Sequence, residues 1–160
     1  MSLPDIDHRG ISRLRLIWGG FVAAVLIGTG IVVVGTPWPS NDVGPLFSVI
    51  IGVVVVIDFG SVFWFRRMGA QAILSAESND EIRDAYTRRM VLACAIAMTP
   101  PLLAFTFVLV AGTTTVFFAI AVASLILLAL AGPRRGDIDV LDDRMVEAGR
   151  PFRVAAALDS

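Results

Sequence analysis

Apolar and polar positions divide this chain into long blocks. Uninterrupted apolar runs cover residues 16–36, 46–65, 90–111 and 113–132. Each is close to the 20 or so residues that a helix needs to cross a bilayer. A helix on the surface of a soluble bundle carries a polar stripe along one face, and none of these runs does. Barrel strands would alternate with a period of two over about ten residues, whereas Val53-Val54-Val55-Val56-Ile57 does not alternate. β-Branched residues favour strands in water, but run length and setting override that preference here. In lipid, backbone groups must be satisfied within the element, so a non-alternating run of this length reads as a helix. The pattern predicts an all-α polytopic membrane protein, a bundle of four transmembrane helices. Around them lie a segment 1–15, a link 66–89 and a tail 133–160.

The link and the tail carry helical signals of their own. Gly69 to Ala76 is compatible with continuation of the second helix. Ser78-Asn79-Asp80-Glu81 has the form of a capping box, Ser followed three residues later by Glu, and predicts a new helix running into the third span. Asp84 and Arg88 are four apart on it, a spacing that permits a weak pair. In the tail, Asp137 is placed to cap a short helix whose Ile138, Leu141 and Met145 share a face, with Gly149 and Pro151 ending it. Acidic Asp139, Asp142, Asp143 and Glu147 on that segment favour docking to the arginine-bearing link over anionic lipid.

Composition agrees with a membrane protein. The 160 residues are 56% hydrophobic and 17% charged, with a mean hydropathy of +0.80; soluble domains carry about 25% charged residues. A disordered chain, a collagen and a basic nucleic-acid-binding domain are excluded. Cys94 and His8 stand alone, which excludes a disulfide framework and a cysteine- or histidine-rich metal centre. No cofactor is expected.

Charge changes the picture more. The net charge is only −1, yet the placement is segregated. All 13 basic residues are arginines, at 9, 13 and 15, at 66, 67, 83, 88 and 89, and at 134, 135, 144, 150 and 153. None lies in the loops on the opposite side, near Pro37 to Pro45 and at Gly112. By the positive-inside rule the arginine side is cytoplasmic. Both termini are then inside, in the plasma (inner) membrane. Trp18 and Trp64 fall at one interface and Trp38 in the outer loop, the depth that amphipathic indoles prefer. The first run lacks a small-residue cleavage site and reads as a retained helix.

Asp58 is the single charged residue inside the four runs. It lies eight positions before Arg66, about 12 Å along a helix, at a depth where an ionisable group is costly and faces a bundle interior or water. Counting inward from the same side places Thr99 and Ser124 at that level, with Ala24 leaving room. Pro100 and Pro101 lack amide hydrogens and release the carbonyls of Ile96 and Ala97 nearby, kinking the third helix. These groups together suggest a polar layer. It reads first as a structural clasp between helices, then as a proton or cation site built on a broken helix, and third as a partner-subunit contact. Gly20, Ala24 and Gly28, four apart, form a small-residue row suited to close helix packing, within the chain or between copies. No phosphate-cradling glycine loop, nucleophile elbow or carboxylate pair is present.

Residues 88–135 contain Ala95-Ile96-Ala97-Met98-Thr99-Pro100-Pro101, a short turn, and an apolar helix ending in Gly132-Pro133-Arg134-Arg135. This stretch resembles uncharacterised four-helix bacterial integral membrane proteins sometimes labelled ATP synthase c-like. The resemblance implies a four-helix fold and an acidic residue near the prolines, a place held here by Met98. The dense glycine repeats of rotary proteolipids and the first-helix glutamate of small multidrug exporters are absent. The expected role is a non-enzymatic accessory, assembly or structural subunit, partnered by the lipid bilayer and by further copies or other membrane subunits, with no nucleic acid. The alternative is a small proton- or cation-linked transporter or channel using Asp58.

Overall fold

A computed structural model describes residues 9–35, 45–111 and 114–159. The described chain is all-α. In order, α1 spans Arg9–Gly35, α2 Pro45–Ser75, α3 Asn79–Ala97, α4 Thr99–Ala111, α5 Thr115–Ala131, α6 Arg135–Glu147 and α7 Val154–Asp159. Three stretches are long and apolar enough to cross a membrane: Ile11–Gly35, Asn79–Thr106 and Val116–Glu147. The predicted run 46–65 lies within α2, a single 31-residue helix that continues well past Arg66 and Arg67. Trp38, the outer loop around it, Gly112 and His8 fall outside the described residues.

Local signals explain the helix ends. Ser78 is the N-cap of α3, and its hydroxyl accepts the Glu81 amide at 3.2 Å. The second half of the capping box is displaced by one residue: the Glu81 carboxylate accepts the amide of Glu77 at 2.7 Å rather than that of Ser78. On the exposed face of α3 the ion pair formed is Arg83–Asp80, at 3.5 Å. Just before the prolines, α3 ends at Ala97 and α4 begins at Thr99. Met98 between them keeps helical dihedrals and donates to the carbonyls of Cys94 and Ala95. Gly149 closes α6 with φ +68°. There the Arg150 amide reaches the Met145 carbonyl and the Gly149 amide reaches Val146, both at 2.9 Å. This is a Schellman motif, in which a glycine takes the left-handed conformation at little steric cost.

Packing centres on α3 and α5. Buried positions on α3 recur at helical spacing (Ile82, Tyr86, Met90, Ala93, Cys94, Ala97), as do Phe117, Ile120, Ala121, Ser124, Leu127, Leu128 and Ala131 on α5. The most extensive contact is the α2–α3 hairpin, closed through Ile73, Ala76 and Ile82. In the tail, Ile138, Leu141 and Met145 are buried as the pattern predicts. Helix α7 packs on α3 and α1 through Val154, Ala157 and Leu158.

Helix α1 is peripheral. Only 11% of its apolar stretch is buried, against 39% and 44% for the other two candidate spans. It packs on α5, α3, α4 and α7, and among the described residues α1 and α2 do not touch. Among the described residues no helix fills the small-residue row. Gly20 and Ala24 are exposed, and a Cβ added at Gly20 or Gly28 would meet nothing within 4 Å.

Candidate functional site

Two groups of polar side chains stand out against this apolar framework. The first gathers at the end of α5. The last carbonyls of a helix have no partner within it, and the negative end of the helix dipole favours cationic or donor groups there. Trp18 of α1 donates its indole N–H to Leu128 O at 2.7 Å. Arg66 of α2 donates from Nη1 to Leu130 O at 2.8 Å. Arg134 donates from Nε and Nη2 to Ala129 O at 3.1 and 2.8 Å. Three consecutive carbonyls thus bind three side chains, two of them from other helices.

Asp137 extends this group. It does not cap α6: the N-cap is Arg134, with no side-chain cap bond. Its carboxylate instead lies between two arginines. Arg66 Nη2 donates to Oδ1 at 2.8 Å, and Arg89 Nη2 lies 3.1 Å from Oδ2 and 3.3 Å from Oδ1. The predicted docking of the tail onto the arginine-bearing link thus takes the form of a shared carboxylate. Arg89 is deeply set, with its side chain 8% exposed. Its guanidinium carbon lies 6.0 Å from the centre of the Tyr86 ring, within cation–π range. Arg89 Nη1 is buried and has no hydrogen-bond partner.

Two glycines make room for this arrangement. A Cβ at Gly69 would fall 2.6–2.8 Å from Cβ, Cγ and Cδ of Arg89. A Cβ at Gly132 would fall 2.8 Å from Trp18 Nε1. Both backbones therefore lie directly against a side chain of the polar group. The pattern of runs did not reveal it. The available signals were an arginine at the very end of an apolar run and a glycine three residues beyond it.

The second group is the one anticipated around Asp58. Asp58 is buried, 8% exposed, and its Oδ2 has no partner. Ser124 is fully buried and its hydroxyl also has none. Thr99 is not brought into the interior: it is exposed and its hydroxyl turns back to Ala95 O at 3.5 Å. Pro100 and Pro101 are both buried at the break. Thr114, at the start of α5, is a further buried hydroxyl without a partner. No cluster of three or more metal-ligating side chains occurs among the described residues.

Known proteins add nothing to this geometry. No family model, no curated protein and no solved structure matches the chain. The residues must therefore be read on their own chemistry. The α5 group is a set of ties: donors from α1 and α2 end on α5, and Asp137 joins α6 to α2 and α3. Asp58 and Ser124 are polar atoms held in an apolar setting with no bond to show for it.

Proposed function

We propose that the chain is a four-span integral membrane protein, with α1, the apolar part of α2, α3–α4 and α5 as its spans. In this reading the arginine-bearing end and both termini face the cytoplasm, and the protein is a non-enzymatic accessory, assembly or structural subunit that works as an oligomer in the plasma membrane. The observation that carries the role is the open apolar face of α1, with its Gly20, Ala24 and Gly28 row unfilled. Small residues on an open face let a second helix approach closely in lipid. A second copy is the first occupant to test. The resemblance of residues 88–135 to four-helix bacterial membrane proteins is consistent with this reading.

Two experiments test it. In a Cys94→Ala background, single cysteines at 38–44 are expected to label only from outside and those at 70–86 only from inside. Labelling of 70–86 from outside would overturn the topology. In the same background Ala24→Cys is expected to give a disulfide-linked dimer in membranes. If it gives none, and the protein purifies gently as a monomer with no companion subunit, the oligomeric role fails.

A second reading has one observation in its favour, the buried and unpartnered Asp58 Oδ2. Intramembrane carboxylates of this kind mark proton and cation pathways. In that case Asp58→Asn keeps the fold and abolishes pH-driven flux in liposomes. A wild-type protein that conducts nothing ends this reading.

A further inference from the structure

Several donors at the end of α5 are spent on carbonyls and on Asp137, but among the described residues one buried donor there is not. Arg89 Nη1 is buried without a partner, on a side chain only 8% exposed. A buried donor left unmade costs free energy, more so when it carries charge. The Arg89 side chain lines a cleft together with Arg66, Tyr86, Met90, Ala93, Ala131 and Asp137. The formal charge of that lining is two arginines against one aspartate. The helix ends nearby do not alter the sign, since the negative terminus of α5 and the positive terminus of α6 meet there and offset each other. The cleft is small, about 10 Å³, room for one water-sized atom.

We propose that this cleft takes one oxygen of a phosphate group, whose remaining atoms lie at its mouth. Arg89 Nη1 is the donor and Arg66 supplies the second positive charge. Gly69 is what seats Arg89: its missing side chain lets the arginine stem lie on α2, and Asp137 fixes the guanidinium from the other side. Phosphate matches an arginine fork. Two sources share that chemistry, the headgroup of an acidic phospholipid and free inorganic phosphate. Where the apolar runs end at Arg66 and just before Met90, the proposed membrane boundary would bring headgroups to this depth. The lipid source rests on the membrane reading above, and the free-phosphate source does not.

The test uses the full chain in nanodiscs. Native mass spectrometry of wild-type protein, released from an equal mixture of phosphatidylglycerol and phosphatidylcholine, is expected to show preferential retention of phosphatidylglycerol. Arg89→Lys keeps the charge facing Asp137 but removes the free nitrogen, and is expected to lose about fivefold in that preference, the scale of one hydrogen bond. Arg144→Gln removes an equal charge from an exposed site on α6 and is expected to retain it. Should Arg89→Lys fail to fold by gel filtration, Arg66→Lys takes its place. The second arm adds millimolar inorganic phosphate to protein in phosphatidylcholine alone. A rise in melting temperature that Arg89→Lys loses would assign the site to free phosphate. The site is overturned if wild-type protein prefers neither probe, or if Arg144→Gln loses the preference as fully as Arg89→Lys. Failure here with the cysteine-labelling pattern intact leaves the four-span reading standing.

Discussion

The polar group at the end of α5 and the polar residues within the apolar stretches both set polar atoms against apolar helices, with opposite outcomes. At the helix end, Trp18, Arg66 and Arg134 each find a carbonyl, and Asp137 finds two arginines. Within the apolar stretches, Asp58 Oδ2 and the Ser124 hydroxyl find nothing. The difference follows from the backbone. In the middle of a helix every carbonyl is already taken by the amide four residues on. In the last turn the following amides run out, so side chains fill Ala129 O and Leu130 O, while Leu128 O accepts both the Gly132 amide at 2.9 Å and the Trp18 indole. Donors near a helix terminus therefore meet ready-made acceptors; in mid-helix a hydroxyl can share a carbonyl of its own helix, as Thr29 does with Val25 O at 2.8 Å and Thr106 with Leu102 O at 3.0 Å, but a carboxylate depends on a donor being placed opposite it. The first arrangement ties elements together, and the second leaves a group available.

Substitutions that remove the ties should have the largest effects. Asp137→Ala leaves Arg66 and the deeply set Arg89 facing each other without their shared carboxylate. It is expected to lower stability by about 3 kcal/mol, the scale for breaking a buried charge pair, read as a lower midpoint in thermal unfolding in detergent. An unchanged midpoint would mean that the ties contribute nothing. Next, Gly69→Ala places a methyl group within 2.8 Å of the Arg89 stem and is expected to cost roughly 1–3 kcal/mol by overpacking. Gly20→Ala, on the open face of α1, serves as its control and is expected to leave the monomer's midpoint in place.

Asp58→Leu sharpens the contrast from the other side. A carboxyl with no partner can be replaced by an apolar group at little or no cost. The expected change is under about 1 kcal/mol. A loss of stability comparable to that of Asp137→Ala would show that Asp58 is a tie after all, and would restore the clasp reading.

The smallest effect concerns pH. Asp142 Oδ1 accepts the Val154 amide at 2.5 Å and so anchors the start of α7. Burial pushes its pKa above 3.8, outweighing the backbone amides and Arg153, which lower it. A carboxyl whose pKa is raised by folding holds its proton better when folded. Its contribution is complete below pH 3.8 and declines as pH rises through the higher folded value. Asp142→Asn keeps the acceptor and removes the titration. The gap in stability between wild type and Asp142→Asn is therefore expected to shift against the wild type as pH rises from about 3 to 6. A gap that stays constant with pH would sink this assignment.

Much of the helical frame was legible in the sequence, because run length, capping residues and prolines act locally. Ser78 caps α3, Gly149 ends α6, and Pro100 and Pro101 divide the third run at Met98. What was not legible depends on which residues meet across the chain. Trp18 had the mark of an interfacial anchor, yet its indole N–H is used inside the protein on a residue 110 positions away. Asp137 had the mark of a cap, and spacing alone does not show that two arginines compete for it. Counting residues inward placed Asp58, Thr99 and Ser124 at one depth. Depth says nothing about facing, and Thr99 points outward while the other two are buried. The row at Gly20, Ala24 and Gly28 had the spacing for close packing, and among the described residues no helix of the same chain lies against Gly20 or Gly28.

The long separations also set an order in time. Trp18 and Arg66 are followed by 110 and 64 residues before their acceptors on α5 are synthesised. At about 10 residues per second, Trp18 waits on the order of 10 s for Leu128. Through that interval α1 and α2, which do not pack on each other among the described residues, are bridged only by α3 and α4, each of which touches both. Arrival of α5 adds the Trp18 and Arg66 ties to both helices at once. Packing of the early helices can thus precede their polar ties, which wait on a single late helix.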